Sequence, residues 1–149
     1  RLFLTGQALS LIYTPSRATF HEKSGLTPYL KPLTQLVVDY IEDTGVEVVS
    51  AHSLEISDNL AVARLDPMDL REHYKKLDLS SADALVLSAC VQMPSLAAVQ
   101  PVEDEAGVPV LTAAVATTFS ILRRLGLRPV VPNAGRLLSG AFDIEGELP

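Results

Sequence analysis

Ala84-Leu85-Val86-Leu87-Ser88-Ala89-Cys90 is the stretch that decides the fold. Its apolar residues are continuous rather than alternating, the pattern of a strand buried on both faces and therefore of a parallel sheet with helices packed on each side. Cys90 closes the run. The next residues, Val91-Gln92-Met93-Pro94-Ser95, turn the chain toward a helix expected over Pro94–Ala106 and stopped by Gly107, with Pro101 predicting a kink. Farther out, Val108–Thr112 reads as a short strand that tolerates Pro109 near its start. Ala113–Leu125 reads as an amphipathic helix with Val115, Phe119, Leu122 and Leu125 on one stripe. A last strand is expected at Arg128–Val131, followed by a turn-rich tail.

Upstream, Leu30, Leu33, Leu36, Val37, Tyr40 and Ile41 recur at helical spacing, with Pro32 in the first turn and Gly45 as the stop. Val46–Ala51 is rich in β-branched residues and predicts a strand. Ser57-Asp58-Asn59 reads as loop. Asp66-Pro67 opens a helix to about Lys76, with Asp at the N-cap and Pro at the first helical position. Strands and helices alternate throughout, which predicts an α/β fold with a three-layer parallel sheet flanked by helices. The pattern places this domain over residues 26–149 and leaves 1–25 unassigned. Ligands of such sheets bind off the carboxyl ends of the strands, where Tyr29, the Asp58-Asn59 loop, Cys90 and Thr112 all fall.

Bulk properties narrow the partners. The 149 residues suit one domain, and 48% hydrophobic content is enough for a core without staples. A formal charge of −6 leaves no basic face for phosphates, so neither nucleic acid nor an anionic membrane surface is an expected partner. No apolar run approaches the roughly 18 residues of a membrane span. A single cysteine excludes an internal disulfide framework and fits a reducing compartment, so a soluble, cytoplasmic protein is expected.

Cys90 is the leading candidate for chemistry. On position alone, a cysteine after a buried strand is equally well a small core hydrophobe. A helix N-terminus favours the thiolate, and its free N–H groups can also hold a carboxylate, so a nucleophile or proton donor suits the position. Tyr29 alone reads as a packing aromatic at a helix start, and Asn59 alone as a turn residue. His21, His52 and His73 have no ligand spacing and read as surface or packing residues. Glu103-Asp104-Glu105 reads as a solvated helix face. Metal, nucleotide and hydrolase signatures such as H-E-x-x-H, Walker A and G-x-S-x-G are absent from the sequence.

Taken together, several segments resemble the maleate cis-trans isomerase family, which groups with arylmalonate decarboxylases and, more distantly, aspartate/glutamate racemases. The resemblance runs from Thr27-Pro28-Tyr29 through Gly45–Val49, Ile56–Asn59, Ala82–Cys90 and Val102–Val110 to Ala116-Thr117-Thr118, Leu122-Arg123 and Leu125-Gly126. It covers about two thirds of the chain. Tyr29, Asn59 and Cys90 stand 30 and 31 residues apart, as the family's substrate-binding Tyr and Asn and second-half Cys do.

The resemblance implies the C-terminal half of a pseudo-symmetric fold in which two α/β halves face each other and each contributes a cysteine position. It implies a cofactor-independent isomerase of the maleate type acting on a small (di)carboxylate, with Cys90 as acid or base at the carbon next to a carboxylate. Tyr29, Asn59 and the backbone N–H groups of Val91 and Gln92 would bind the substrate. No metal, flavin or pyridoxal phosphate is implied. The second cysteine would come from another α/β half or from a homo-oligomer.

Alternatives are an arylmalonate-type decarboxylase or racemase using Cys90 as proton donor, or a non-catalytic carboxylate-binding domain. Two departures leave the substrate open: Val91-Gln92-Met93 replaces the family's usual T-N-L, and Ala113-Ala114 stands where an asparagine is frequent. Alkylation by iodoacetamide across pH separates catalysis from packing. A primed Cys90 titrates well below the roughly 8.5 of a model thiol, whereas a structural one stays unreactive.

Overall fold

The computed structural model describes residues 22–28, 30–87 and 95–141. Its strands are β1 (Glu22–Thr27), β2 (Glu47–Ser53), β3 (Ala84–Leu87) and β4 (Val110–Leu111), all parallel in the order β2-β1-β3-β4. Helix α1 (Lys31–Glu42) links β1 to β2. The β2–β3 connection contains α2 (Asn59–Val62), a 3₁₀ turn (Pro67–Asp69), α3 (Leu70–His73) and a second 3₁₀ turn (Tyr74–Lys76). Helix α4 (Leu96–Ala106) links β3 to β4, and α5 (Ala113–Arg124) follows β4.

β3 is the expected doubly buried strand: Ala84, Leu85, Val86 and Leu87 are at most 2% exposed. Leu85 and Leu87 face one layer with Leu26, Val110, Ala98, Val99, Val102, Leu70 and Tyr74. Ala84, Val86 and Leu111 form the opposite face. Val48, which aligns with Ala84 across β1, packs with Val37, Ile41 and Val46 on that second side. Thus α1 covers one face, while α3 and α4 cover the other. These are the three layers the alternation predicted.

β1 falls across the boundary at residue 25 and was not anticipated. Glu22-Lys23-Ser24-Gly25 is a weak strand sequence, yet β1 is hydrogen-bonded to neighbours on both sides. Tertiary pairing overrides local propensity here.

Helix α1 also turns differently from the reading by spacing. Leu30, Leu33, Leu36 and Tyr40 are 37–64% exposed, and the inward stripe is Thr34, Val37 and Ile41. The two stripes interleave at helical spacing, so periodicity alone could not choose between them.

The 66–76 segment alternates 3₁₀ and α turns instead of forming one helix, although Asp66 Oδ1 caps the Met68 N–H at 2.9 Å as expected. In α5 the stripe holds at Val115 and Phe119, but Leu125 is 66% exposed. Arg128–Val131 is not a strand; Val130 makes only an isolated antiparallel bridge to Ser139. Helix α4 passes through Pro101 as one element and ends at Gly107 in the left-handed region (φ +74).

In the acidic triplet of α4, Asp104 and Glu105 are exposed as expected, but Glu103 is not. Glu103 is 6% exposed, and its carboxylate accepts the Val110 N–H and the Arg136 N–H, both at 2.8 Å. It lies one helical turn beyond buried Val99, on the inner side of α4. The side chain therefore clips the start of β4 and the turn at 135–136 to the helix. Gly135 fits because a Cβ there would lie 2.8 Å from Val99 Cγ1 and 3.2 Å from Glu103 Oε2. Asp104 accepts from Gln100, and Glu105 pairs with Arg71 of α3.

Glu103→Ala leaves the buried Val110 N–H and the part-buried Arg136 N–H without their acceptor, at roughly 1–3 kcal/mol for the buried donor and less for the other. It is expected to lower stability by about 2–5 kcal/mol in urea unfolding. Asp104→Ala, on the exposed side, should change it by less than about 0.5 kcal/mol.

Candidate functional site

The strand order creates a topological switch. From central β1 the chain runs outward to β2, then crosses back over β1 to β3 and onward to β4. Connections therefore leave the carboxyl ends of adjacent β1 and β3 in opposite directions, opening the crevice where parallel α/β sheets bind ligands. β1 ends at Thr27 and β3 at Leu87, with Leu26 and Leu87 in register.

The segment after β1 is tied down. Thr27 O accepts the Leu54 N–H at 2.8 Å, and Pro28 O accepts the Ile56 N–H at 3.1 Å. The strand pairing of β1 and β2 thus continues into the loop that leads to Asn59. Asp58 Oδ1 caps α2 by accepting the Leu60 N–H at 2.9 Å, and Asp58 O accepts from Val62. Asn59 is therefore the first helical residue of α2 rather than a loop residue. At the end of β4, buried Thr112 caps α5, its Oγ1 accepting the Val115 N–H at 3.1 Å. Ser95, also buried, stands at the N-cap of α4.

Tyr29, Cys90, Val91 and Gln92 lie outside the described residues, as does the side chain of Asn59. In sequence, Tyr29 follows the last residue of β1 by two positions and Cys90 follows that of β3 by three. The segments carrying them thus depart from the two strands that flank the switch point.

Elsewhere, a groove of about 690 Å³ lies beside α4, lined by Pro67, Leu96, Ala97, Gln100, Pro101, Pro132 and Asn133. Its lining is mostly apolar, with Gln100 and Asn133 as the polar side chains. No group of three or more His, Cys, Asp or Glu among the described residues could hold a metal ion. No helix among them is long and apolar enough to cross a membrane.

Spacing did not reveal that His52 and His73 meet. β2 and α3 bring their rings to 6.4 Å between centroids, and His73 Nδ1 is buried with no hydrogen-bond partner among the described residues. Burial lowers the His52 pKa first, then the Lys76 and His73 charges; Glu55 opposes them.

These features belong to a known class, an Asp/Glu racemase-like α/β fold built on a parallel sheet flanked by helices. A family model described as arylmalonate decarboxylase matches residues 24–138, and the chain belongs to that family. It is 58% identical over 117 residues to the maleate isomerase of Geobacillus stearothermophilus, a match covering 78% of this chain and 47% of the relative. The crystal structure of the maleate isomerase Iso from Pseudomonas putida S16 superposes with a TM-score of 0.79 at 48% identity, over 94% of this chain and 53% of that one. A cysteine-to-serine mutant of Nocardia farcinica maleate cis-trans isomerase, bearing a covalently bound succinylcysteine intermediate, gives 0.77 at 40% identity over 92% and 53%. The chain spans about half the length of the curated relatives it matches.

The His52 environment sets a pH dependence. Its folded pKa lies below the unfolded value of about 6.5, so the neutral ring is favoured in the fold. The associated stability is complete above about pH 6.5 and is lost as pH falls through the folded pKa. The urea midpoint is expected to drop between about pH 7.5 and pH 5.5, and His52→Gln to reduce that drop. An unchanged drop in the variant removes His52 as its source.

Proposed function

We propose that this chain carries one half of the active site of a cofactor-independent maleate-type cis-trans isomerase, with Cys90 as its acid–base group. The observation that carries the reading is the succinylcysteine intermediate in the Nocardia farcinica relative, beside a single cysteine three positions in sequence after the last residue of β3 in this chain. A succinyl thioether is a cis-butenedioate with sulfur added to one alkene carbon and a proton to the other. Forming it requires a thiolate and a separate proton donor.

The thiolate of a second cysteine, from a facing α/β half or another copy of the chain, attacks one alkene carbon. The π electrons move onto the neighbouring carbon and its carboxylate as an enediolate. Cys90 delivers its thiol proton to that carbon, leaving a single bond free to rotate. After rotation the Cys90 thiolate takes a proton back, the carbon–sulfur bond breaks and the trans alkene forms. Thiol and thiolate are regenerated, and nothing is oxidised or reduced.

Tyr29, Asn59 and the N–H groups of Val91 and Gln92 act as donors to the carboxylates. They are worth most where charge accumulates in the enediolate. The net charge of −6 opposes an anionic substrate little, since solvent and salt screen distant charges while donors act at contact.

In the full-length protein, Cys90→Ser is expected to cut kcat for conversion of maleate to fumarate, followed by proton NMR, by about 10²–10⁴-fold. Normal turnover in that variant overturns the assignment. Carbon dioxide release from an arylmalonate without maleate isomerisation would favour decarboxylation instead.

A further inference from the structure

Thr27 and Thr34 form a buried hydroxyl pair beside the proposed site that nothing above has used. Thr27, the last residue of β1, is 3% exposed, and Thr34, in the first turns of α1, is 7% exposed. Their Oγ1 atoms are 2.7 Å apart. Thr34 Oγ1 also donates to Leu30 O at 3.3 Å. A hydroxyl has one proton, so with Thr34 donating to Leu30 O the shared hydrogen bond is donated by Thr27.

Between the two threonines, the link from β1 to α1 is held on both sides of position 29. Pro28 has a fully buried side chain, and its carbonyl accepts the Ile56 N–H. Leu30 O accepts three donors: the Leu33 and Thr34 N–H groups, each at 3.0 Å, and the Thr34 hydroxyl. The two backbone N–H bonds belong to any helix start. The hydroxyl relay is an addition, and it costs the inward stripe of α1 an apolar side chain. Thr34 stands on that stripe with Val37 and Ile41, where apolar packing alone would favour Val.

We propose that Thr34, through its hydroxyl relay with Thr27, is a positioning residue that fixes the backbone on either side of Tyr29 and so sets the binding of the dicarboxylate. The inference rests on the reading of Tyr29 as a substrate-binding residue. Ile56 joins the same brace to the loop entering α2, so the segments carrying Tyr29 and Asn59 are held to one another. Valine matches threonine in shape but breaks the relay, leaving the Thr27 hydroxyl buried without its acceptor.

The test is steady-state maleate isomerisation by full-length protein. Thr34→Val should raise KM about fivefold or more with kcat within about twofold, the pattern of lost binding common to ground and transition states. Thr34→Ser, which keeps the hydroxyl, should restore KM. Tyr29→Phe should raise KM by itself and add less than its full effect on the Thr34→Val background, as expected for coupled residues.

If Thr34→Val yields no folded protein, Thr34→Ala against Thr34→Ser gives the same comparison. A lower melting temperature with unchanged KM makes the pair a packing feature and overturns the proposal. So does full additivity with Tyr29→Phe. If Tyr29→Phe alone leaves KM unchanged, the reading of Tyr29 fails first, a result distinct from failure of the brace.

Discussion

Parallel pairing of β1 to β2 on one side and β3 on the other is the constraint on which the rest of this structure depends. A strand with two parallel neighbours cannot be joined to either by a tight turn, so each connection must cross a face of the sheet. The first crossing places α1 over one face, and the later crossings place α3 and α4 over the other. Both faces of β3 are closed as a result, and its four residues are all apolar. The reversal of winding direction at β1 also opens the crevice at its carboxyl end, so the core and the candidate site share one topological cause.

Buried polar side chains in this fold end their hydrogen bonds on backbone, Glu103 directly and Thr27 by way of the Thr34 hydroxyl. Glu103 spends both carboxylate oxygens on backbone N–H groups of β4 and the 135–136 turn. β4 is only two residues long, and ladder bonds alone would hold it weakly. The clip compensates, and it keeps Thr112 at the end of β4 beside the end of β3. The threonine pair does the corresponding work at the end of β1. The end of β1 and the short β4 are thus each held by a buried side chain that reaches main chain, an arrangement suited to holding nearby groups without reorganisation.

Much of this was legible in the sequence, and the exceptions are instructive. The buried strand at 84–87, the stops at Gly45 and Gly107 and the cap at Asp66 report local physics and appear where expected. β1 escaped because Glu22–Gly25 has little strand preference of its own and becomes a strand only by lying between two others. The inward face of α1 was only half legible: Val37 and Ile41 belong to the apolar set read from spacing, but Leu33, Leu36 and Tyr40 interleave with them and polar Thr34 gives no sign of burial. Glu103 carried a usable signal, since it lies four residues after Val99 on the buried side of α4. A charge there calls for partners, but the partners come from 7 and 33 residues away and no local pattern names them.

The sequence by itself determined the fold class and which residue types stand after each strand, because hydrophobic continuity and helix punctuation are local properties of the chain. It also placed Tyr29, Asn59 and Cys90 at the spacing of a family to which the chain belongs. Only the tertiary structure decided the strand order, and with it the switch point between β1 and β3. It alone decided which stripe of α1 faces inward, that His52 meets His73, and that Glu103 and Thr34 are buried against backbone. The physical reason is common to all of these. Each depends on surfaces brought together across long stretches of chain, where burial and hydrogen-bond satisfaction outweigh the preferences of single residues.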